Sequence, residues 1–481
     1  MTNISDKDTF YYSILHYFVL FLHIFRGLFL AKYLGAAAFG LYGIVILAQQ
    51  QMSASALGMR EATLIELSGL NEMNPSFNKI FVAALFFTLC VGAILFFIGI
   101  AAFLNKDYFG YYHPIGEYLY LICFHGVLAI SNEVMLNVLR VKGKILLIGF
   151  IEVFYGLSIV LWAFLIIFFE KSLSVFFQLA LITNLVVFFI YIFLLKGNLN
   201  QIIDSKKVLK LLRLGIPLLI LNVSTILMIS TGQWIVGFKD TLSQLGIFSF
   251  AVSLAMIVNF GVGSLTWIYL SPLIAEYKIA GSSRISELAE ILREYLFTAF
   301  LLMSLGAMCF YFTIVNFYFQ DYFSSFFVFL MIFFSQFAQL FCYPDNTLLL
   351  AKKKITQVSL VCIFTTIFIT FLGLNIYNHF EKINLFDLSQ IELLGALILI
   401  GNFIYMLSIF FLANEYKLSF FQKDLKFFIY FLGNILMLIF LYSINLALFS
   451  IIFILIMLFV NHFNTFVSLV SIVRKIFIKS S

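Results

Sequence analysis

The chain has 481 residues, of which 63% are hydrophobic, 11% are charged and 63 are phenylalanine, with a net charge of +6. A soluble domain has roughly half apolar and a quarter charged residues, and it has too little interior to hide so many large apolar side chains from water. The composition therefore excludes a water-soluble protein, and the positive charge is explained by membrane insertion and attraction to anionic lipid, with no nucleic-acid role.

Apolar windows of about 20 residues, long enough to cross a bilayer as helices, recur along the chain. The ten-residue alternation of a membrane barrel is absent, so the predicted fold class is an all-α polytopic membrane protein. About fourteen transmembrane helices are predicted, at 11–34, 39–66, 79–104, 118–140, 145–169, 173–195, 208–238, 243–272, 291–318, 322–350, 356–378, 390–414, 425–442 and 446–468.

The distribution of cations predicts the orientation, because Lys and Arg collect in short cytoplasmic loops. With the N-terminus inside, most of the 29 cations fall in inner segments. The outer loops receive only Lys32, Lys106, Lys171, Lys239 and Lys382. Both termini are therefore predicted to be cytoplasmic.

A basic loop at 196–213 divides the chain into two blocks of six helices. Gly40 opens the second predicted helix and Gly246 the eighth, each followed by an aromatic within two residues, which indicates two parallel repeats. Such repeats are a common plan of transporters, with the substrate path between them. The predicted domains are an N-terminal six-helix lobe at 1–205, a C-terminal six-helix lobe at 206–415 and an additional helix pair with a cytoplasmic tail at 416–481, the lobes enclosing a central cavity.

Ionisable groups inside the bilayer are costly, so each is a candidate site residue. In the first predicted helix, His16, His23 and Arg26 lie at steps of seven and three and share one face. Arg26 is too deep to reach the membrane surface easily. It either lines a cavity or locks helices together through a carbonyl or a carboxylate.

Other polar residues extend this candidate site. Helical spacing puts Gln49, Ser53 and Arg60 on one face of the second predicted helix, although Arg60 is equally compatible with an anchor at the inner end. The fourth helix carries His125, Asn132 and Glu133, and Glu133 is a candidate counter-charge to Arg26 or Arg60, or a member of a structural ion pair. The predicted substrate-binding set is Arg26, Arg60, His23, His16, Gln49, Ser53, His125, Asn132 and Glu133.

Several further features favour structural roles. Asn222, Thr225 and Gln233 align on the seventh predicted helix, where such residues commonly join helices. Pro217, Pro272 and Pro344 permit kinks. The sequence has no phosphate loop of the GxxxxGK type, no HExxH and no GxSxG, which disfavours an enzyme or an ATP-driven pump. The five cysteines lack paired or metal-ligand spacing, so we expect no metal and no cofactor.

Two segments resemble a known family. The stretch 25–35, Phe-Arg-Gly-Leu-Phe-Leu-Ala-Lys-Tyr-Leu-Gly, and the following Phe-Gly-Leu-Tyr-Gly at 39–43 resemble the opening of the polysaccharide-biosynthesis or O-antigen flippase-like proteins of the multidrug/oligosaccharidyl-lipid/polysaccharide exporter superfamily. The segment 211–218 is similar to that family's entry to its seventh helix. Where many relatives carry an acidic-basic pair in that helix, this chain has Gln233 and Trp234, which argues against a carboxylate coupling-ion site there.

The resemblance implies a flippase of the cytoplasmic (inner) membrane that moves undecaprenyl-pyrophosphate-linked oligosaccharides by alternating access. Its expected partners are the lipid-linked oligosaccharide, membrane lipid and other polysaccharide assembly proteins. Cations such as Arg26 suit a pyrophosphate leaving water. Three alternatives stay open: a cation-coupled multidrug exporter, which favours cavity carboxylates; a membrane glycan polymerase, which needs a large external loop; and a purely structural protein.

Overall fold

The computed structural model describes residues 6–67, 70, 74–170, 172–199, 201–258, 296, 300, 302–304, 306–351, 354–379 and 389–415. Within these ranges the chain is helical and has no strand, which confirms the all-α class. Nine helices in this part are long and apolar enough to cross a membrane. The predicted helices 425–442 and 446–468, Pro272 and much of 243–272 and 291–318 lie outside the described residues, so the total of about fourteen stays a prediction.

The chain divides into two compact units, Met1–Phe250 and Ala251–Ser481. Each unit has its own helices and its own buried core. The lobes at 1–205 and 206–415 are predicted from an internal repeat, and the boundary between these two units does not test that repeat. The division into two six-helix lobes therefore stays a prediction.

The first unit begins with a long helix, α1 (Asp6–Met52), which is kinked at Gly35 (φ 75°, ψ 169°). This backbone conformation is one that glycine adopts readily and other residues avoid. Gly35 separates a first arm at 6–34 from a second arm at 36–52. The predicted boundary between the first two helices lies at this position.

The second predicted helix, 39–66, is interrupted in the structure. The second arm of α1 ends at Met52, a 3₁₀ turn follows at Ser53–Ala56, and α2 spans Met59–Leu67. Leu57 and Gly58 between them have positive φ, which stops the helix. Helical spacing therefore does not extend from Gln49 to Arg60, and the predicted shared face is broken.

Most of the remaining helices follow the predicted spans within a few residues, but a short helix at Lys106–Tyr112 falls in a predicted outer loop, and the helix Leu242–Ala255 extends past the end of the first unit at Phe250. The helices are α3 (Pro75–Leu104), α4 (Lys106–Tyr112), α5 (Leu119–Val141), α6 (Ile145–Leu165), α7 (Leu173–Leu195), α8 (Ser205–Lys239) and α9 (Leu242–Ala255). Asn74 caps α3 by accepting a hydrogen bond from the Ser76 backbone N–H at 2.9 Å. α3 packs on α5, and α6 packs on α1, where the rings of Phe29 and Phe164 lie 4.2 Å apart between centroids.

The second unit contains α10 (Phe326–Phe341), α11 (Tyr343–Ala351), α12 (Ile355–His379) and α13 (Gln390–Glu415). α13 packs against both α10 and α12. Nearly every residue of α10 is buried, and its phenylalanines form much of the core. Gln339 Nε2 donates to Asn402 Oδ1 at 2.8 Å, which joins α10 to α13. The predicted helix 322–350 is interrupted at Cys342. Pro344 lies in the first turn of α11, a position that proline favours because the backbone N–H groups there have no partner within the helix.

The outer surface of these helices is apolar. Phe97, Phe169, Phe193 and Phe364 are each at least two-thirds exposed. A soluble protein rarely exposes so many large apolar side chains on its helices. This surface, together with the nine long apolar helices, identifies a multi-pass membrane protein.

Candidate functional site

The candidate residues all belong to the first unit, and six of the nine lie in three groups, whereas His16, Gln49 and Ser53 belong to none of them. One group surrounds Arg26, a second surrounds Asn184, and a third surrounds Arg60. The geometry of each group decides what it can do chemically.

Arg26 lies in the middle of the first arm of α1 and is partly buried. His23 on the same arm, Tyr42 on the second arm and Tyr155 on α6 are close enough to interact with it electrostatically. Among the described residues no carboxylate forms an ion pair with Arg26, and its Nε atom has no hydrogen-bond acceptor. A partly buried guanidinium in such surroundings offers its charge and its N–H donors to an anion that comes within reach.

His16 shares the helical face of Arg26 but lies about 15 Å away along the axis, at 1.5 Å per residue. Its Nδ1 is 3.7 Å from Glu152 Oε2 on α6, and its ring lies against Tyr12. The structure therefore separates His16 from the group around Arg26 and gives it a carboxylate neighbour.

The second group joins α5 to α7. The Nδ2 atom of Asn184 lies 3.0 Å from His125 Nδ1 and 3.1 Å from His125 Nε2. Asn132 Nδ2 donates to the Asn184 carbonyl at 3.4 Å. Tyr155, which interacts with Arg26, also interacts with the side chain of Asn184, so the first two groups adjoin.

Several polar atoms near these groups are buried and unsatisfied. Within the described part of the chain, Asn132 Oδ1 and Gln49 Nε2 have no hydrogen-bond partner, like Arg26 Nε. Asn132 and Gln49 are only 9% and 8% exposed. Most buried polar atoms in proteins are satisfied by protein or by water. These atoms are therefore available to a polar ligand or to ordered water.

The third group holds α2 between α5 and α8. Arg60 Nη1 lies 3.3 Å from Glu133 Oε1 on α5, and Arg60 Nε lies 3.7 Å from Glu61 Oε1. Asn137 Nδ2 donates to the Arg60 carbonyl at 2.9 Å. Of the two arginines that Glu133 was expected to pair with, the structure selects Arg60.

A polar seam continues from this group along α8. Asn222 Nδ2 donates to Glu61 Oε1 at 2.8 Å, and Lys210 Nζ to Glu66 Oε2 at 2.6 Å. Nearer the second arm of α1, Gln51 Nε2 donates to Ser230 Oγ and Trp234 Nε1 donates to Gln51 Oε1, both at 3.2 Å.

The aligned polar residues of α8 have structural roles. Asn222 contacts Glu61, Thr225 bonds to carbonyls of its own helix, and Gln233 Nε2 donates to Ser249 Oγ on α9 at 3.1 Å. Ser53 lies in the 3₁₀ turn after the second arm of α1. The interpretation of this α8 stripe as a helix contact is consistent with these bonds.

Sequence reasoning missed Asn184 and Tyr155, which connect the first two groups. Asn184 lies in the middle of an apolar predicted helix, 173–195, where a search for amide side chains would have found it together with Gln178. Tyr155 carried no signal, because tyrosines are frequent throughout the chain. In the described residues no group of three His, Cys, Asp or Glu side chains is placed to hold a metal ion.

No family model and no curated protein matches this chain. Solved structures share its fold. The lipid II flippase MurJ in an inward closed conformation matches with a TM-score of 0.62 and 14% identity, over 92% of this chain and 97% of that chain. A MATE in complex with MaD3S matches with a TM-score of 0.60 and 13% identity, over 87% and 96%.

A third match is a MOP superfamily transporter from Pyrococcus furiosus whose binding pocket has reverse polarity, with a TM-score of 0.56 and 16% identity over 85% of this chain and 95% of that chain. At these identities the likeness shows the fold alone. The chain has the fold of MOP superfamily transporters.

Proposed function

We propose that the chain is a flippase that moves undecaprenyl-pyrophosphate-linked oligosaccharide units across the cytoplasmic membrane for surface polysaccharide assembly. It acts by alternating access, is not an enzyme, and has both termini in the cytoplasm. The proposal rests mainly on the position of Arg26. Its guanidinium lies inside an apolar span and has no carboxylate partner in the described part of the chain.

The energetics of Arg26 support an anionic substrate. An arginine at the middle of a membrane helix costs about 2.5–3.5 kcal/mol on insertion scales. In the described part of the chain no carboxylate pairs with Arg26 to offset that cost. A pyrophosphate head group supplies the counter-charge, and charge-assisted hydrogen bonds to its oxygens are stronger than neutral ones.

The neighbouring group suits the sugar part of the substrate. His125, Asn132 and Asn184 offer hydrogen-bond donors and acceptors, and Asn132 Oδ1 has no partner among the described residues. Tyr42 and Tyr155 add aromatic rings near Arg26. The polyprenyl tail remains in lipid, so only the polar head group needs this surface.

The fold is compatible with a second function, because its structural neighbours include MATE transporters as well as a lipid II flippase. A multidrug exporter of this fold is therefore the alternative. Its organic cations would be repelled by Arg26, and the site around Arg26 contains no carboxylate among the described residues to attract them. The charge of the site favours the flippase.

The test is export of the glycan by variants of Arg26 in a strain that lacks the native gene. Arg26→Ala should reach the membrane in normal amount and lose at least nine-tenths of surface polysaccharide. Arg26→Lys should retain part of it, since the charge is kept and bidentate geometry is lost. Lys239→Ala, which removes an exposed cation at the end of α8, is the matched control and should export normally. Full export by Arg26→Ala would refute the role of this arginine.

A drug-susceptibility assay on the same strains separates the alternative. The flippase hypothesis expects no change in resistance to cationic dyes on deletion of the gene. Increased dye sensitivity, restored by the wild-type chain, would favour the exporter.

A further inference from the structure

The segment between α7 and α8, described at 196–199 and from 201 onward, makes contacts with neighbouring helices. It consists of a 3₁₀ turn at Lys196–Asn198, an irregular stretch and the first turns of α8. Asn198 Oδ1 accepts from Lys142 Nζ at 2.9 Å, and Asn198 Nδ2 donates to Asn78 Oδ1 at 2.6 Å. Asp204 caps α8 by accepting from the Lys206 N–H at 3.0 Å. Asn198 is thus held by residues near the start of α3 and just after the end of α5.

This segment presents apolar side chains on its outer surface. Ile202 is 88% exposed although it lies outside any helix, and Ile203 and Leu209 are 45% and 51% exposed. A polar connecting loop rarely directs two adjacent isoleucines away from the protein. Their exposure is favourable only where the surrounding medium is apolar.

Cations alternate with these apolar residues. Lys206, Leu209, Arg213 and Ile216 are all exposed and lie at steps of three, four and three, so they form one stripe on α8. The stripe begins with Lys206 at the start of α8 and ends with the exposed Ile216, two to three helical turns further along. Such a gradient from charge to apolar surface matches the boundary between lipid head groups and acyl chains.

Exposed apolar side chains also lie on the helices at both ends of the segment. Phe193, near the end of α7, is 68% exposed, and Lys196 Nζ lies 4.7 Å from the centre of its ring. Ile216 continues the α8 stripe into the span and is 44% exposed. The segment therefore begins and ends in surface that faces the bilayer.

We propose that residues 196–199 and 201–216 form a binding site for an anionic phospholipid. Ile202, Ile203 and Leu209 insert into the boundary between head groups and acyl chains, and Lys206 and Arg213 bind the lipid phosphate. Lys210 is not part of this site, because its ammonium pairs with Glu66. The proposal concerns a surface remote from Arg26 and stands independently of the transported substrate.

The first experiment measures the depth of residue 202. Ile202→Trp in the full chain, reconstituted in phosphatidylglycerol-containing nanodiscs, should add fluorescence over the parent protein that brominated lipid quenches by about half or more. Aqueous iodide should leave that added fluorescence nearly unchanged. Quenching by iodide and not by brominated lipid would overturn the proposal, whatever the lipid-binding result.

The second experiment measures lipid selectivity by native mass spectrometry with added phosphatidylglycerol or phosphatidylcholine. Lys206→Gln/Arg213→Gln should weaken phosphatidylglycerol binding by about fivefold for each cation removed and leave phosphatidylcholine binding unchanged. Lys106→Gln/Lys239→Gln removes two exposed cations elsewhere and should bind like the parent. Equal binding by both double variants would overturn the cationic half of the site, provided that their thermal unfolding matches the parent.

Discussion

Arg26 and Arg60 are both cations of the first unit, yet their surroundings differ: Arg26 lies within the apolar span Tyr11–Ala56, and Arg60 lies in the short helix α2 that follows it. Arg60 has Glu133 at 3.3 Å and Glu61 at 3.7 Å, and its backbone carbonyl is bound by Asn137. Arg26 has aromatic and histidine neighbours and, among the described residues, no carboxylate. A neutralised arginine stabilises helix packing, whereas an arginine without a counter-charge keeps its charge for a ligand.

The comparison predicts that variants of the two regions fail in different ways. Changes around Arg60 and the α8 seam should lower the free energy of unfolding, and export should fall only as far as folded protein is lost. Changes around Arg26 and Asn184 should lower export more than stability.

The largest loss of stability is expected at Gly58, which has φ +71° and packs against the backbone of Gly215. A Cβ there would lie 2.1 Å from the Gly215 carbonyl oxygen. Gly58→Ala should therefore cost about 2–5 kcal/mol, combining left-handed backbone strain with overpacking. Gly197→Ala, which meets no atom within 4 Å, is the control and should unfold like the parent in a thermal scan.

An intermediate effect is expected for the pair of Arg60 and Glu133. Either Arg60→Glu or Glu133→Arg should lower stability by about 1–3 kcal/mol, between the values for exposed and buried pairs. The double exchange should recover at least half of that loss, as a double-mutant cycle of unfolding free energies would reveal. If the losses of unfolding free energy in the two single variants simply add in the double variant, the interaction between Arg60 and Glu133 does not stabilise the protein. Arg60 would then, like Arg26, have no stabilising counter-charge.

The smallest effect on stability is expected for Asn184→Ala. It removes the side-chain contacts with His125 and Tyr155 and should cost about 0.5–1.5 kcal/mol. Because Asn184 connects the groups around His125 and Tyr155, export should fall at least fivefold at equal protein level.

The adjacent residue provides the control for Asn184. Thr183 accepts a hydrogen bond from Trp162 Nε1 at 2.8 Å, so Thr183→Val should cost a similar stability and leave export nearly intact. Parallel loss of export in both variants would assign Asn184 to packing.

The helices could be predicted closely from the sequence. α3, α5, α7 and α8 end within a few residues of the predicted spans, because the bilayer thickness limits apolar windows to a narrow length. The break before α2 could not be predicted in the same way. Leu57 is not a usual left-handed residue, and the polar residues on either side of it, such as Ser55 and Arg60, are equally compatible with one continuous helix face.

The partners of the charged residues could be predicted only in part. Spacing places His16 and Arg26 on one face but does not show that Glu152, on another helix, lies beside His16. The prediction that Glu133 is a counter-charge is confirmed. Whether it pairs with Arg26 or with Arg60 depends on how α2 packs on α5. Contacts between residues far apart in the chain are set by tertiary packing, which the periodicity of a single helix does not contain.

The seam between α2 and α8 also constrains how the protein is made. Arg60 meets Glu133 after 73 residues, but Glu61 and Asn222 are 161 residues apart and Glu66 and Lys210 are 144 apart. At about 5–20 residues per second, the ribosome needs roughly 10–30 s to supply these partners. During that interval the carboxylates of the nascent α2 lack their α8 partners, so this short helix must wait at the membrane surface or beside the translocon. Completion of the first unit is therefore tied to the emergence of α8.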